Sequence, residues 1–201
     1  MWAADRQAPR RLQVPGARQR GTAAVEFALL VGLFLTLVFG VLEIARLIYL
    51  FNTLQEVTRR AAAMAVNAPF DAQSQAAIRE NALFSDASGN LILGSPVTPA
   101  HLRIEYLSLA RDGSGVLSTP RVQALPANPA ANRVNCLVNP NGDNCIRFVR
   151  VQVCAPGAQD DCDPVPYQML FPLLDFSGLR LPRAQTTAPA QTLGFTPGDQ
   201  P

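Results

Sequence analysis

An α+β fold is what this sequence predicts: a long N-terminal helix, its first half transmembrane, followed by a small disulfide-stapled, strand-rich extracytoplasmic domain. Three observations carry the prediction. Residues 27–42 are sixteen consecutive uncharged and mostly bulky apolar residues. Strand-type alternation and turn residues appear only after Pro69. All four cysteines fall between positions 136 and 162. A length of 201 residues fits one domain plus an appendage.

Residues 1–21 form a basic leader. They carry Arg6, Arg10, Arg11, Arg18 and Arg20 against a single acid, Asp5, and Pro9 and Pro15 interrupt any regular element. The remainder of the chain is mildly acidic, so the net charge of +2 hides a basic head on an acidic body. That distribution argues against nucleic-acid binding by the bulk of the protein.

The helix is predicted from about Thr22 to Val66. From Thr22 to Leu42 it counts 21 residues, interrupted only by Glu26. At ~1.5 Å per residue this spans roughly 30 Å, the hydrocarbon thickness of a bilayer. No Ala-x-Ala site stands at the expected place just after the apolar run, which argues for a membrane anchor over a cleaved secretory signal. Beyond it, Leu47, Leu50, Leu54, Val57 and Ala61 recur at helical spacing, and neither Pro nor Gly occurs from Val41 to Ala68. Glu43 with Arg46, and Glu56 with Arg59 or Arg60, read as i, i+3 and i, i+4 pairs on a solvated face. Asn67-Ala68-Pro69 is the stop.

Residues 67–181 are predicted to form the extracytoplasmic α+β domain. Residues 71–84 suit a short helix capped by Asp71. In "HLRIEYLSL" (101–109), Leu102, Ile104 and Tyr106 alternate with Arg103 and Glu105, the pattern of a half-buried strand. "CIRFVRVQVC" (145–154) follows the turn signal "NPNGDN" (139–144), so 134–154 reads as a hairpin. Residues 164–181 read as irregular chain and one more strand, and 182–201 as a flexible tail. Cys136, Cys145, Cys154 and Cys162 suggest a disulfide framework if the domain is exported, with Cys136–Cys145 and Cys154–Cys162 the first of three possible pairings. A zinc site is weighed below this, because no Cys-x-x-Cys occurs and the only histidine, His101, is distant. Asp160, Asp161 and Asp163 lack calcium-loop spacing, and no metal or cofactor is expected.

Five arginines before the apolar run place the N-terminus in the cytoplasm and the C-terminal domain outside. Glu26 is then the anomaly. A charged carboxylate inside a membrane helix costs about 2.5–3.5 kcal/mol at its centre and less near an end. By itself it could reach the headgroups. Taken with the glycine five residues before it, the arrangement Arg20-Gly21-Thr22, Glu26-Phe27 and an apolar helix resembles the processing site of type IV pilin-like proteins. There a membrane peptidase cuts after the glycine.

The wider stretch "RGTAAVEFALLVGLFLTLVFGVLEIARLIYLFNTLQEVTRRAAAMAV" resembles the TadE-like family, minor pilin-like proteins of the tight-adherence (Flp pilus) system. Ordinary pilins and type II secretion pseudopilins usually follow the glycine with Phe-Thr-Leu-Ile-Glu, whereas this chain has Thr-Ala-Ala-Val-Glu-Phe. Gly40, Glu43 and Arg46 match the family's element at the membrane exit, and "TRRAAAMAV" resembles its continuation. The resemblance covers about residues 18–66. It implies a processing site at Gly21, Thr22 and Glu26, with the leader cleaved, and assembly contacts through Glu26, Phe27, Glu43 and Arg46. It also implies residence in the inner membrane. The implied partners are membrane lipid, a prepilin peptidase, other pilin-like subunits and the assembly platform, with no nucleic acid and no small-molecule substrate. The residues offer no motif for an enzyme. Two alternatives stand beside this reading: an unprocessed single-pass anchor carrying an extracytoplasmic binding domain, and a type II secretion-like pseudopilin.

Overall fold

A computed structural model describes residues 20–157, 161–171 and 178–194. The leader up to position 19, Asp160, most of the "FPLL" stretch and the end of the tail lie outside the described residues. The chain divides into two compact units, one up to Phe39 and one from Gly40 onward.

Helix α1 runs from Arg20 to Ala65, within a residue or two of the predicted span. Its residues in the first unit are almost wholly exposed, and those in the second enter a core. Leu50, Leu54, Val57, Ala61 and Ala65 are each fully buried. Burying a Leu or Val side chain contributes about 1.5–3 kcal/mol, so this stripe holds the helix to its domain. The helix ends where expected. Asn67 Nδ2 donates to the Ala63 carbonyl at 3.0 Å, and Pro69 cannot continue the ladder. Helix α2 (Ala72–Ala82) begins at Asp71, whose carboxylate accepts from the Ser74 N–H at 2.9 Å. That bond, with the Ser74 hydroxyl's, holds the Asp71 carboxyl below its ordinary pKa.

The sheet has the order β1-β4-β5, all antiparallel, from β1 (Leu102–Leu107), β4 (Phe148–Val153) and β5 (Gln185–Pro189). A separate two-residue pair, β2 (Ala110–Arg111) and β3 (Leu117–Ser118), forms a small hairpin. Leu102, Ile104 and Tyr106 share the hydrophobic core with Val149, Val151 and Val153 and with the buried stripe of α1. Thr58 of α1 reaches Thr186 of β5, hydroxyl to hydroxyl, at 3.0 Å.

Four expectations need correction. The hairpin over 134–154 does not form. Residues 129–138 are helix α3 (Pro129–Val138), and the strand that follows pairs with distant segments instead. Asn128 caps α3 through the Ala131 N–H at 2.8 Å and Pro129 opens its first turn, so the Asn-Gly signal marks a turn between helix and strand. The 182–201 tail is not flexible throughout. Residues 185–189 are the third strand, Ala184, Ala190 and Leu193 are buried, and Thr192 Oγ1 hydrogen-bonds the Val66 carbonyl at the end of α1. The polar side of β1 is not simply wet either. Glu105 is buried and ion-paired with Arg103 at 3.0 Å and with Arg121. The fourth concerns Glu43 and Arg46, which are buried rather than on a solvated face. Glu56 with Arg59, at 2.9 Å, does form an exposed surface pair.

The cysteines pair as Cys136–Cys145 and Cys154–Cys162. The first bridge joins the last turn of α3 to the chain entering β4. The second closes the loop after β4.

Candidate functional site

Two groups of residues in α1 carry the functional signals, one in each unit. In the first unit, Gly21 and Thr22 lie in the opening turn of the helix, where backbone N–H groups lack intrahelical acceptors. A Cβ added at Gly21 would meet nothing within 4 Å, so no packing among the described residues requires glycine there. One turn further on, Glu26 is exposed and makes no hydrogen bond or ion pair among the described residues. Phe27 beside it is 69 % exposed, as are Leu29, Leu30 and Leu33 to a similar degree. A helix that exposes so many apolar side chains is not stable against water. Its length and composition are those of a membrane-crossing segment, a single-pass anchor ahead of the C-terminal domain.

In the second unit the helix turns polar inward. Glu43 and Arg46 are three residues apart and therefore neighbours on the same face, with Arg46 Nη1 at 3.2 Å from Glu43 Oε1. Arg46 also donates to the Leu93 carbonyl at 2.7 Å and to the Gln168 carbonyl at 2.6 Å. The Tyr167 hydroxyl accepts from Arg46 at 3.2 Å and donates to Glu43 at 2.5 Å, and the guanidinium lies 5.1 Å from the Tyr167 ring centroid. Glu43 accepts a further, longer contact from the Leu170 N–H at 3.3 Å. Burial, then the bond to Glu43, pushes the Tyr167 phenol up to about 12, so it stays a donor across the physiological range.

The arrangement clamps three parts of the chain: α1, the 91–94 turn and the 167–170 segment. Leu93 holds a positive φ of 56°, an uncommon conformation for a branched side chain, and its carbonyl is one of those Arg46 holds. Such buried charge is retained at a cost in desolvation. Nothing in it suggests chemistry on a substrate, and among the described residues no three His, Cys, Asp or Glu side chains gather as a metal set. Sequence spacing found the Glu43–Arg46 pair but not its partners. Tyr167 and Leu93 lie 121 and 47 residues from Arg46, beyond the reach of any local pattern.

The described residues thus hold a helix long and apolar enough to cross a membrane and, in the second unit, a buried Glu–Arg clamp. Residues 21–63 match the family model described as TadE-like protein, a span that contains Gly21, Thr22, Glu26, Phe27, Glu43 and Arg46. No curated protein and no solved structure matches the chain.

Proposed function

We propose that this chain is a pilin-like minor subunit of the tight-adherence (Flp) pilus system, anchored in the inner membrane with its C-terminal domain outside and processed by a prepilin peptidase. The observation that carries the reading is the TadE-like match over 21–63. It joins the Gly21–Thr22 bond, Glu26 and the Glu43–Arg46 pair in one recognised segment. The arginine-rich leader favours a cytoplasmic N-terminus.

Processing would hydrolyse the Gly21–Thr22 peptide bond. One water is consumed, the leader departs with a Gly21 carboxylate, and the mature chain begins with a Thr22 ammonium. That ammonium lies at the membrane edge, where the Glu26 carboxylate of a neighbouring subunit can neutralise it. The pair sets axial register between helices, while Phe27 and the leucines beyond it pack against lipid or adjacent subunits.

The test is the N-terminal residue of protein extracted from membranes of cells that contain the peptidase. Thr22 is expected, and Gly21→Ala should leave the leader attached. A Cβ at Gly21 would meet no described atom within 4 Å, so the substitution has room among the described residues. A chain that keeps Met1 in such cells, with Glu26→Ala indistinguishable from wild type in pilus assembly, would instead establish a plain single-pass anchor. Copurification with a type II secretion platform would point to the pseudopilin alternative.

A further inference from the structure

Helix α3 is built inside out. Its buried side is polar: Asn132 is only 4 % exposed, with Oδ1 accepting from the Ile146 N–H at 2.8 Å. Cys136, one turn later, is tied to Cys145. Its outward side is apolar, with Val134 58 %, Leu137 84 % and Val138 81 % exposed. An amphipathic helix left to itself turns the other way, burying its valines and leucine. Here the amide bond and the disulfide together fix the orientation.

Beside this stripe lies a concavity of about 300 Å³ between α3 and the start of β4, lined by Asn132, Arg133, Ile146, Arg147, Ala190 and Gln191, with the disulfide of Cys136. It holds two arginines from different elements. Both side chains are exposed, and neither guanidinium has an acceptor or an ion-pair partner among the described residues. The only acid between them in sequence, Asp143, pairs with neither. Arg46, Arg59, Arg103, Arg121 and Arg150 face carboxylates, whereas Arg60, Arg79, Arg111, Arg180 and Arg183 make no ion pair among the described residues; what sets Arg133 and Arg147 apart is that both line one concavity. Two unpaired arginines lining one concavity gain nothing for the fold by ion pairing. They suit an incoming oxoanion, and guanidinium geometry suits a carboxylate in particular. Leu137 follows Arg133 by one helical turn, so the apolar stripe continues from the charged concavity along one surface.

We propose that this surface receives a partner polypeptide: the carboxylate of an Asp or Glu side chain enters between Arg133 and Arg147, and apolar residues flanking that acid pack on Val134, Leu137 and Val138. The charge points to an acid. The adjoining apolar stripe points to protein rather than to an acidic glycan, which offers no such flank. The inference rests on the assembly reading only in taking the partner to be another pilin-like subunit. The binding assay does not depend on cleavage at Gly21, so the two can fail separately.

The experiment uses the full chain in detergent micelles and a fluorescent synthetic peptide with one Glu flanked by Leu and Val. Its Gln counterpart, sodium acetate and polygalacturonate serve as comparison probes, and binding is read by anisotropy. The Glu peptide should bind at least tenfold more tightly than the Gln peptide, and its affinity should fall as salt is raised. The Arg133→Gln/Arg147→Gln double variant should lose about tenfold, and Leu137→Ser severalfold. All three substituted side chains are exposed, so the urea midpoint should not move. Equal binding of the Glu and Gln peptides, or no binding of either, overturns the proposal without any variant. So does binding that the arginine substitutions leave unchanged. Polygalacturonate bound as tightly as the peptide, with Leu137→Ser without effect, would make this an oxoanion site only. Self-association of the chain abolished by the same substitutions would make the occupant a second copy. Either outcome refutes the partner named here.

Discussion

Replacing Arg46 with methionine keeps much of the side chain's volume and removes its charge. The substitution strands three groups at once. Glu43, buried at 4 % exposure, loses its counter-ion, and the carbonyls of Leu93 and Gln168 lose their donor. Removing one member of a buried ion pair costs about 3–5 kcal/mol, because the remaining charge stays out of water. The Tyr167 hydroxyl and the Leu170 N–H still face Glu43, which puts the expected loss toward the lower figure, about 3 kcal/mol. Glu43→Leu should cost a similar amount by leaving Arg46 uncompensated. The double variant Glu43→Leu/Arg46→Met leaves no buried charge and should be less damaging than the two single losses added together. The assay is urea unfolding of the full chain in detergent, followed by far-ultraviolet circular dichroism. A loss under about 1 kcal/mol for Arg46→Met, or strict additivity in the double variant, would refute the claim that this clamp is a coupled, desolvated unit.

Tyr167 supplies a pH signature for the same clamp. A group whose pKa is higher in the folded state than its ordinary value near 10 binds more protons when folded, so its stabilisation is complete below that value. It is lost as pH rises toward about 12. The full difference is worth at most about 2.7 kcal/mol, and solvent screening brings it nearer ~1 kcal/mol. Tyr167→Phe should flatten the fall in urea midpoint between those pH values. An unchanged alkaline limb would refute the assignment. Removing the nine-residue-separated bridge with Cys136→Ser/Cys145→Ser should cost about 2–3 kcal/mol by loop entropy and should lower the thermal midpoint under non-reducing conditions. An unchanged midpoint would mean that α3 is held by the Asn132 amide alone.

Elements with a strong local signal were legible in the sequence. The apolar stripe at Leu50, Leu54 and Val57, the Asp71 cap and the existence of strand β1 each depend on neighbours a few residues away, and each stands where the pattern put it, although Glu105 of β1 is buried. What local reasoning missed depends on distance. "NPNGDN" is a real turn, but whether a helix or a strand precedes it is decided by Asn128 and Pro129 at the far end of the segment. "QTTAP" shows no strand alternation of apolar residues because it is an edge strand, and its pairing with β4 supplies what its side chains do not. Glu43 and Arg46 look like a surface pair until Tyr167 and Leu93 close over them. The Gly21–Glu26 signal, in contrast, is legible only as recognition, since no contact among the described residues demands either residue.

The position of β4 between two strands that flank it in sequence sets an order of events during synthesis. Its first neighbour, β1, is made before it, but its second, β5, ends only at Pro189. Nearly the whole domain must therefore leave the ribosome and, for an exported domain, cross the bilayer before the three-stranded sheet is complete. Until then one edge of β4 stays open beside a membrane crowded with other chains.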